Sequence, residues 1–513
     1  MKIKTTRLVA ALEALAYPEA AARLAHGVAE HDTLRLTQDS RDVADETPSA
    51  MPTLFIATPG VAAEGREYID SALASGAALV LAEGAALDPR WESDDRVIAL
   101  EGITERLAAL GRVLFAVPET LRLIGVTGTN GKSSVTHYIA ALLEGLGQPA
   151  GVVGTLGYGR PGALRPALQT TPGPLALQQM LGEMAAEGVE TVAMEVSSHA
   201  LAQDRLGDTP IDTAVFTNLS RDHLDYHASM AAYAAAKAKL FKRDGVRLAV
   251  VNGDDPLARL MLAGLPEGVR VLATGSQEAT TLRVAGCEAL PTGLRAVIAS
   301  PEDEHVLELP LMGRFNLDNA LLAMTTLYGL GHSLESIWPA AAALTPVPGR
   351  MQRVPATDER SGPAVIVDYA HTPAALDNAL AALREHLPGR EGSALWCVFG
   401  CGGDRDPGKR APMAQAVERH ADRVVITDDN PRTESAEAIR DAVAAGLTAP
   451  ATAWSIDGRR DAIERVITEA NDDDIVLIAG KGHEDYQEIA GVRQPFSDLE
   501  VAAAALAHRG ATA

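Results

Sequence analysis

The sequence predicts an α/β fold resting on parallel sheets, and three observations carry that prediction. A glycine-rich loop stands between an apolar strand-like run and a helical pattern at residues 121–134. Strand-like runs and helical patterns alternate from about residue 118 to 350. After a proline-rich break at 346–349 a second βα series begins. Length agrees, since 513 residues exceed what one core holds and two to four domains are expected.

Taken in order, the N-terminus places positive charge before an apolar run, as a signal peptide would. Glu13 interrupts the run, however, and Leu8, Leu12 and Leu15 share one helical face, so an amphipathic helix is the better reading. Residues 53–57 and 78–82 read as short strands among helices and Gly/Pro turns. Pro118 then marks a boundary ahead of the strand-like 121–124. Residues 191–194 and 213–216 are strand-like, and 230–241 reads as helix. Past the break, 364–367, 395–399, 424–426 and 475–478 are apolar strands that each run into a polar loop bearing Gly or Asp. In open parallel sheets, ligands sit at those carboxyl ends. The sequence contains no internal repeat and no low-complexity tract.

Composition excludes several function classes. A net charge of −23 argues against a sequence-independent grip on nucleic acid or on an anionic membrane face. No stretch approaches the ~18 uncharged apolar residues of a membrane span. The three cysteines, Cys287, Cys397 and Cys401, form no CxxC spacing, so a reducing, cytoplasmic setting is expected rather than a disulfide framework.

Residues 125–134 read GVTGTNGKSS. A strand that ends in glycines, then Lys-Ser, then a helix is how proteins hold nucleotide phosphates. Backbone N–H groups of Gly128, Thr129, Asn130 and Gly131 turn inward, Lys132 reaches the outer phosphates, and Ser133, with Ser134 beside it, offers a hydroxyl to Mg²⁺. The general spacing wants a glycine at 126, where valine stands, and an ordinary Gly-rich turn is the alternative. Lys132-Ser133 after Gly131 favours the phosphate reading.

The loop GTNGKSS, then QTTPGP (169–174), MEVSSHAL (194–201), NLSRDHLDYH (218–227), AAK (235–237) and VDYAHTP (367–373) together resemble the Mur ligase family, ATP-dependent amide-bond synthetases of peptidoglycan precursor assembly. GCGGDRD (400–406), DNPR (429–432) and GKGHEDYQ (480–487) resemble the members that add diaminopimelate to a UDP-N-acetylmuramoyl dipeptide. The resemblance implies three domains: a UDP-binding α/β domain at 1–117, a central P-loop ATPase-type parallel sheet at 118–350, and a Rossmann-like amino-acid-binding domain at 351–513. It further implies ATP and Mg²⁺ as cofactors, and a monomer with no membrane insertion is expected.

Joining an amine to a carboxylate in water requires activating the acid, here as an acyl phosphate, and the protein's task is positioning and charge neutralisation. Lys132 is expected on the β/γ-phosphates and Ser133 on the first metal. Glu195 follows a buried strand, where a carboxylate needs a cation. The resemblance makes it a Mg²⁺ ligand, and capping the next helix is the alternative. His223 reads alone as a structural histidine but by resemblance as a second-metal ligand. Lys237 reads by default as a surface lysine. The family carries a carbamylated lysine at this motif, which turns a cation into an oxygen ligand for Mg²⁺. Asn316 and Asn319 resemble the adenine contacts, and Arg350 and Asp368 those near phosphates and ribose, with a surface arginine as the alternative for Arg350.

Ser40, Thr170, Thr171, Ser197, Gln203 and Arg205 match the family's UDP-substrate positions, although 61–63 read Val-Ala-Ala and Gln169 replaces Asn. For the incoming amino acid, Arg405, Asp429, Asn430, Pro431, Arg432, Gly480 and Glu484 match. Arg432 would fork onto the distal carboxylate that separates diaminopimelate from lysine, and Glu484 would meet the distal ammonium. One charge-assisted hydrogen bond contributes roughly 1.5–3 kcal/mol. Leaving Arg432 buried and unpaired would add to the penalty for lysine. Two competing readings stay open: a folylpolyglutamate synthase-like or lysine-adding ligase, and a nucleotide-binding regulatory protein without catalysis. Residues 346–349 read as a hinge for domain closure or as a fixed linker.

Overall fold

The computed structural model describes residues 1–28, 30–44, 51–60, 64–86, 88–91, 93–355, 362–389 and 392–512. Residues 61–63, the Val-Ala-Ala that departs from the expected pattern, lie outside them. The chain forms two compact units, one of residues 1–251 with 255–272 and the other of 252–254 with 273–513.

The first unit holds two sheets. Strands β1 (Lys2–Lys4), β2 (Thr33–Thr37), β3 (Thr53–Ala57), β4 (Ala77–Glu83) and β5 (Val97–Leu100) line up in chain order, with β1 antiparallel and the others parallel. The N-terminal segment yields three residues to β1 before its helix, Thr5–Ala14, begins. Leu8 and Leu12 are fully buried on that helix, as the amphipathic reading requires. The second sheet runs β11 (Leu248–Asn252), β10 (Thr213–Phe216), β6 (Arg122–Thr127), β9 (Thr191–Glu195), β7 (Ala150–Gly154), β8 (Gly157–Gly159). All but β8 are parallel, and β6 lies between β9 and β10. The glycine-rich loop therefore leaves a central strand whose neighbours end beside it, and the helix Lys132–Gly145 follows directly.

In the second unit the expected alternation fails between residues 282 and 309. Strand β12 (Arg270–Gly275) ends beside β13 (Leu282–Leu290), and β13, β14 (Gly293–Ala299) and β15 (Glu304–Leu309) form an antiparallel meander. Only Pro291 and Thr292 separate β13 from β14. A parallel return needs a dozen residues or more, so two permit only a hairpin. Helices Arg314–Gly329 and Leu334–Ala342 follow.

The last sheet has the order β16 (Gln352–Arg353), β17 (Ala364–Asp368), β21 (Ile475–Ala479), β18 (Leu395–Phe399), β19 (Arg423–Ile426), β20 (Trp454–Ser455). All but β16 are parallel. Helices Pro373–His386, Arg410–His420 and Ala436–Ala444 bury Leu380, Met413 and Ile439 in the core on one face. Arg459–Glu469 and Asp498–Thr512 bury Ile463 and Val501 on the other, a doubly wound arrangement. A hairpin, β22 (Tyr486–Ile489) with β23 (Val492–Pro495), closes over the carboxyl edge beside Arg432. The turn after the proline-rich break is fastened to this sheet: Asp368 Oδ2 accepts the Met351 N–H at 2.7 Å, and its Oδ1 accepts that of Ala370 at 2.8 Å.

Candidate active site

The carboxyl end of β6 builds the first cluster. Gly131 takes the left-handed conformation (φ 82°) and starts the helix whose first residue is Lys132. The loop is pinned to the end of β10. Thr129 N–H donates to the Asn218 carbonyl at 2.8 Å, Asn130 N–H to Asn218 Oδ1 at 3.0 Å, and the Thr217 hydroxyl to the Asn130 carbonyl at 2.5 Å. Lys132 Nζ folds back on the loop, donating to the Gly128 and Thr129 carbonyls at 2.9 and 2.8 Å. Ser133 and Ser134 are buried in the first turn.

Glu195 ends β9 and is buried. Its Oε1 accepts from the Ser133 hydroxyl at 2.9 Å and the Thr155 N–H at 2.9 Å. The helix after it is capped by Ser197, whose hydroxyl accepts the Ala200 N–H, so capping is not the work of Glu195. The carboxylate fits only because residue 154 lacks a side chain, since a Cβ there would collide with Glu195 Oε1. Ser133 hydroxyl and Glu195 carboxylate side by side form a hard-oxygen pair suited to Mg²⁺.

Lys237 is not on the surface. It is 1% exposed, its Nζ donates to the Gly128 carbonyl at 2.7 Å, and it lies 4.5 Å over the Tyr233 ring. Burial, with Lys132 nearby, drives its ammonium well below the ordinary lysine range. Burial also pushes the Tyr233 hydroxyl up to about 12. As an ammonium Lys237 would repel a metal, and only an oxygen-bearing adduct on its amine fits that role. His223 is exposed, in the left-handed conformation (φ 52°), 3.4 Å from Asp222. It packs edge-on against His199 and Tyr233. Among the described residues, no group of three or more His, Cys, Asp or Glu side chains could hold a metal ion.

Beside this cluster the structure gathers five of the six residues expected to hold the UDP substrate. Thr171 hydroxyl donates to the Glu195 carbonyl at 2.8 Å and accepts the Ser197 N–H at 3.0 Å. Thr170 and Thr155 hydroxyls lie 3.1 Å apart. Arg205 donates to Gln203 Oε1 at 2.9 Å, Gln169 Oε1 at 3.0 Å and the Thr171 carbonyl at 3.2 Å. Gln169 thus supports Arg205 from the position where the family pattern has Asn by resemblance. Ser40 stands apart, starting the short helix after β2. Sequence reasoning missed Thr155, Tyr233 and His199. A glycine and a hydroxyl at the end of a strand next to β9 were the available signal for Thr155.

In the second unit Asn316 and Asn319 are buried on the helix after β15, with Asn319 Nδ2 donating to Asn316 Oδ1 at 3.3 Å. Arg350 lies 4.7 Å over the Tyr369 ring, so the surface-arginine alternative falls away. Burial pushes the Asp368 carboxyl up against the pull of Arg350. Both its oxygens already serve backbone N–H groups, so its first task is to hold the turn at 351.

The carboxyl edges of β18, β19 and β21 collect residues expected to hold the incoming amino acid. Asn430 is buried and donates to Glu484 Oε2 at 3.0 Å, and Gly480 (φ 120°) brings its Cα under Asp429, where a Cβ would stand 2.6 Å from Oδ2. Arg432 (φ 54°) follows Pro431, and its N–H donates to the Glu488 carbonyl at 3.0 Å. One expectation needs correction. The Arg432 guanidinium is half-buried and already engaged, donating to the Gly403 carbonyl at 2.7 Å and lying 3.8 Å from Glu488. A substrate lacking the distal carboxylate would not leave it unpaired, so the penalty against lysine is smaller than an orphaned charge would impose. Arg405 is exposed and borders the same Gly402 turn as Arg432.

The pattern of known families matches twice: residues 126–327 match the Mur ligase middle domain, and 349–482 the Mur ligase glutamate ligase domain. The chain belongs to the Mur ligase family. It is 47% identical over 479 residues to UDP-N-acetylmuramoyl-L-alanyl-D-glutamate--2,6-diaminopimelate ligase of Pseudomonas syringae pv. tomato, covering 93% of this chain and 95% of that protein. It is also 47% identical over 482 residues to the protein of that name from Pseudomonas aeruginosa, covering 93% and 96%. Among solved structures, one of a UDP-N-acetylmuramoyl-L-alanyl-D-glutamate--2,6-diaminopimelate ligase aligns with a TM-score of 0.66 at 37% identity, over 92% of this chain and 94% of that one. MurF ligase from Thermotoga maritima in complex with ADP aligns at 0.60 and 18% identity over 94% and 99%, which speaks to the fold alone. Both matched regions contain clusters described above, the phosphate loop and Glu195 in one, Asp368 and Arg432 in the other.

Proposed function

We propose that this chain is an ATP-dependent ligase that adds meso-2,6-diaminopimelate to the D-glutamate of UDP-N-acetylmuramoyl-L-alanyl-D-glutamate, releasing ADP and phosphate, in cell-wall synthesis. The observation that carries the amino-acid specificity is the gathering of Arg432, Asn430 and Glu484 at one carboxyl edge. A guanidinium and a carboxylate carried on one edge suit the carboxylate and ammonium on one carbon of a diamino acid. The names of relatives at 47% identity over 93% of the chain point the same way. So does the absence, among the described residues, of a helix able to cross a membrane, since the substrates are water-soluble.

In this reading the backbone from Gly128 to Ser134 cradles the ATP phosphates and Lys132 leaves its loop carbonyls for the outer ones. Asn316 and Asn319 face the adenine, with Arg350 and Asp368 toward phosphates and ribose. Ser40, Thr170, Thr171, Ser197, Gln203 and Arg205 hold the UDP dipeptide so that its acid meets the terminal phosphate. Arg405, Asp429, Pro431 and Gly480 complete the diaminopimelate cradle. Ser133, Glu195, His223 and a carbamate on Lys237 would hold Mg²⁺, which neutralises the charge spreading over the transferred phosphoryl group. The depressed lysine favours the neutral amine that reacts with CO₂. The division 1–117, 118–350 and 351–513 follows these three tasks. The three free thiols suit a cytoplasmic enzyme, and we take it to act as a monomer.

The test is direct. Incubation with ATP, Mg²⁺, the UDP-muramoyl dipeptide and either diaminopimelate or lysine should yield, by mass, the diaminopimelate tripeptide with one ADP per product. Comparable lysine product would overturn the specificity, and phosphate release that depends on a folate rather than the UDP substrate would overturn the function.

A further inference from the structure

Lys481 is buried to 0% exposure, and the sequence assigns it nothing. Its Nζ donates to Asn430 Oδ1 and to Glu484 Oε2, each at 3.0 Å. Asn430 Oδ1 also accepts the Glu488 N–H at 2.9 Å, so its oxygen faces two donors and its Nδ2 is left to face Glu484 Oε2, at 3.0 Å. The amide cannot flip without setting Nδ2 against an ammonium and an N–H. The side-chain hydrogen bonds that described residues make to Glu484 thus converge on Oε2, and the side chain keeps 21% exposure. The second oxygen, Oε1, accepts no hydrogen bond from a described side chain. Burying an ammonium costs several kcal/mol unless it is paired and fully hydrogen-bonded. A purely packing role would be met by methionine without that cost.

We infer that Lys481 is a positioning residue for amino-acid recognition: it fixes Asn430 and Glu484 so that one carboxylate oxygen meets the ammonium on the far carbon of the incoming diamino acid. The inference rests on the proposed diaminopimelate reading. Lys481 touches no reacting atom and acts through its two neighbours.

The experiment compares diaminopimelate with 2-aminopimelate, which keeps both carboxylates and the reacting amine but lacks the far ammonium. The unaltered protein should prefer diaminopimelate in kcat/KM. In Lys481→Met that preference should shrink roughly tenfold or more, the scale of one charge-assisted hydrogen bond. KM for ATP and for the UDP dipeptide should stay within about twofold, since the proposed function places neither at this cluster. In a Glu484→Gln background the same change should alter the preference little, because the two residues act as a unit. If Lys481→Met does not fold, Lys481→Gln, which keeps a donor toward Asn430 but no charge, is read by the same ratio. An unchanged ratio, a parallel rise in all three KM values, or no preference in the unaltered protein overturns the inference. Failure of the unaltered protein to use diaminopimelate at all overturns the reading beneath it, and this inference with it.

Discussion

The phosphate-loop region and the amino-acid cradle each bury a lysine, and the two are treated in opposite ways. Lys237 has a carbonyl and an aromatic ring for company, and among the described residues it makes no ion pair. Glu195 in the same cluster likewise receives neutral donors, a hydroxyl and an N–H. In the cradle, charge is matched by charge: Lys481 with Glu484, Arg410 with Glu434 at 2.9 Å, Arg459 with Asp498 at 2.7 Å. The first region keeps uncompensated charge, which the proposed function assigns to phosphate, metal and CO₂, and bears the desolvation cost meanwhile. The second pairs its buried cations beforehand, so in the proposed function it would select by shape and by which hydrogen bonds a ligand can share. Activation chemistry needs a field, whereas choosing between two amino acids needs fixed positions.

The largest effect that could break this contrast lies at Arg459 and Asp498, both fully buried and joined through two hydrogen bonds of 2.7 Å. Arg459→Met strands a buried carboxylate and should lower unfolding stability by about 3–5 kcal/mol, while adding Asp498→Leu should restore most of it. Urea unfolding measures both, and a single variant within about 1 kcal/mol of the unaltered protein would show that the cradle is not locked by pairing. Next in size, Glu195→Gln keeps the shape and an acceptor for Ser133 but removes the charge. Turnover should fall about 10²–10³-fold with little change in melting temperature. A rise in the KM for ATP with kcat intact would move Glu195 from charge stabilisation to simple binding.

Lys237 sharpens the comparison from the stability side. Its amine titrates below the ordinary lysine value because burial disfavours the charge, so the folded state binds a proton less readily than the unfolded one. The resulting penalty is present at neutral pH and is relieved as pH rises through the folded pKa. Lys237→Met should abolish ligation yet raise the melting temperature in CO₂-free buffer, by roughly 2–4 °C per kcal/mol of relief. The gain should narrow at alkaline pH and in bicarbonate. A lower melting temperature for the variant under CO₂-free conditions would mean that the buried ammonium is well accommodated.

Much of this was legible beforehand, for reasons that differ by residue. The strands at 53–57, 213–216 and 395–399 coincide with the observed ones because buried parallel strands are continuous apolar runs bounded by turn residues. The loop at 128–134 declares itself through glycine and Lys-Ser. The meander at 282–309 was misread because its strands alternate polar and apolar residues, with one face wet, and only the two-residue gap betrays the hairpin. Lys237 is invisible as a buried residue in Ala-Ala-Ala-Lys-Ala-Lys, since helical position alone does not say which of two lysines points inward. Thr155 and Lys481 escaped because their roles depend on side chains 40 and 51 residues away in sequence, at Glu195 and Asn430.

The smallest expected effect concerns His386, a titratable group that the second unit buries in neutral form. Its Nε2 accepts the Gly313 N–H at 2.9 Å and its Nδ1 lies 2.7 Å from the Leu290 carbonyl, so the ring carries its proton on Nδ1. That arrangement ties the last helix turn of 373–386 to the start of the helix bearing Asn316 and Asn319. Burial lowers the histidine below 6.5, and the folded state therefore resists protonation. Stability from this group is fully present above the unfolded value and is lost as pH falls from about 6.5 through the folded pKa. A proton on Nε2 would set two donors against each other at Gly313. His386→Leu should be less stable at neutral pH, yet its melting temperature should fall less than that of the unaltered protein between about pH 7.5 and 5.5. Parallel acid profiles for the two proteins would assign the acid sensitivity to other histidines, of which His199, His227 and His371 are also held low by burial.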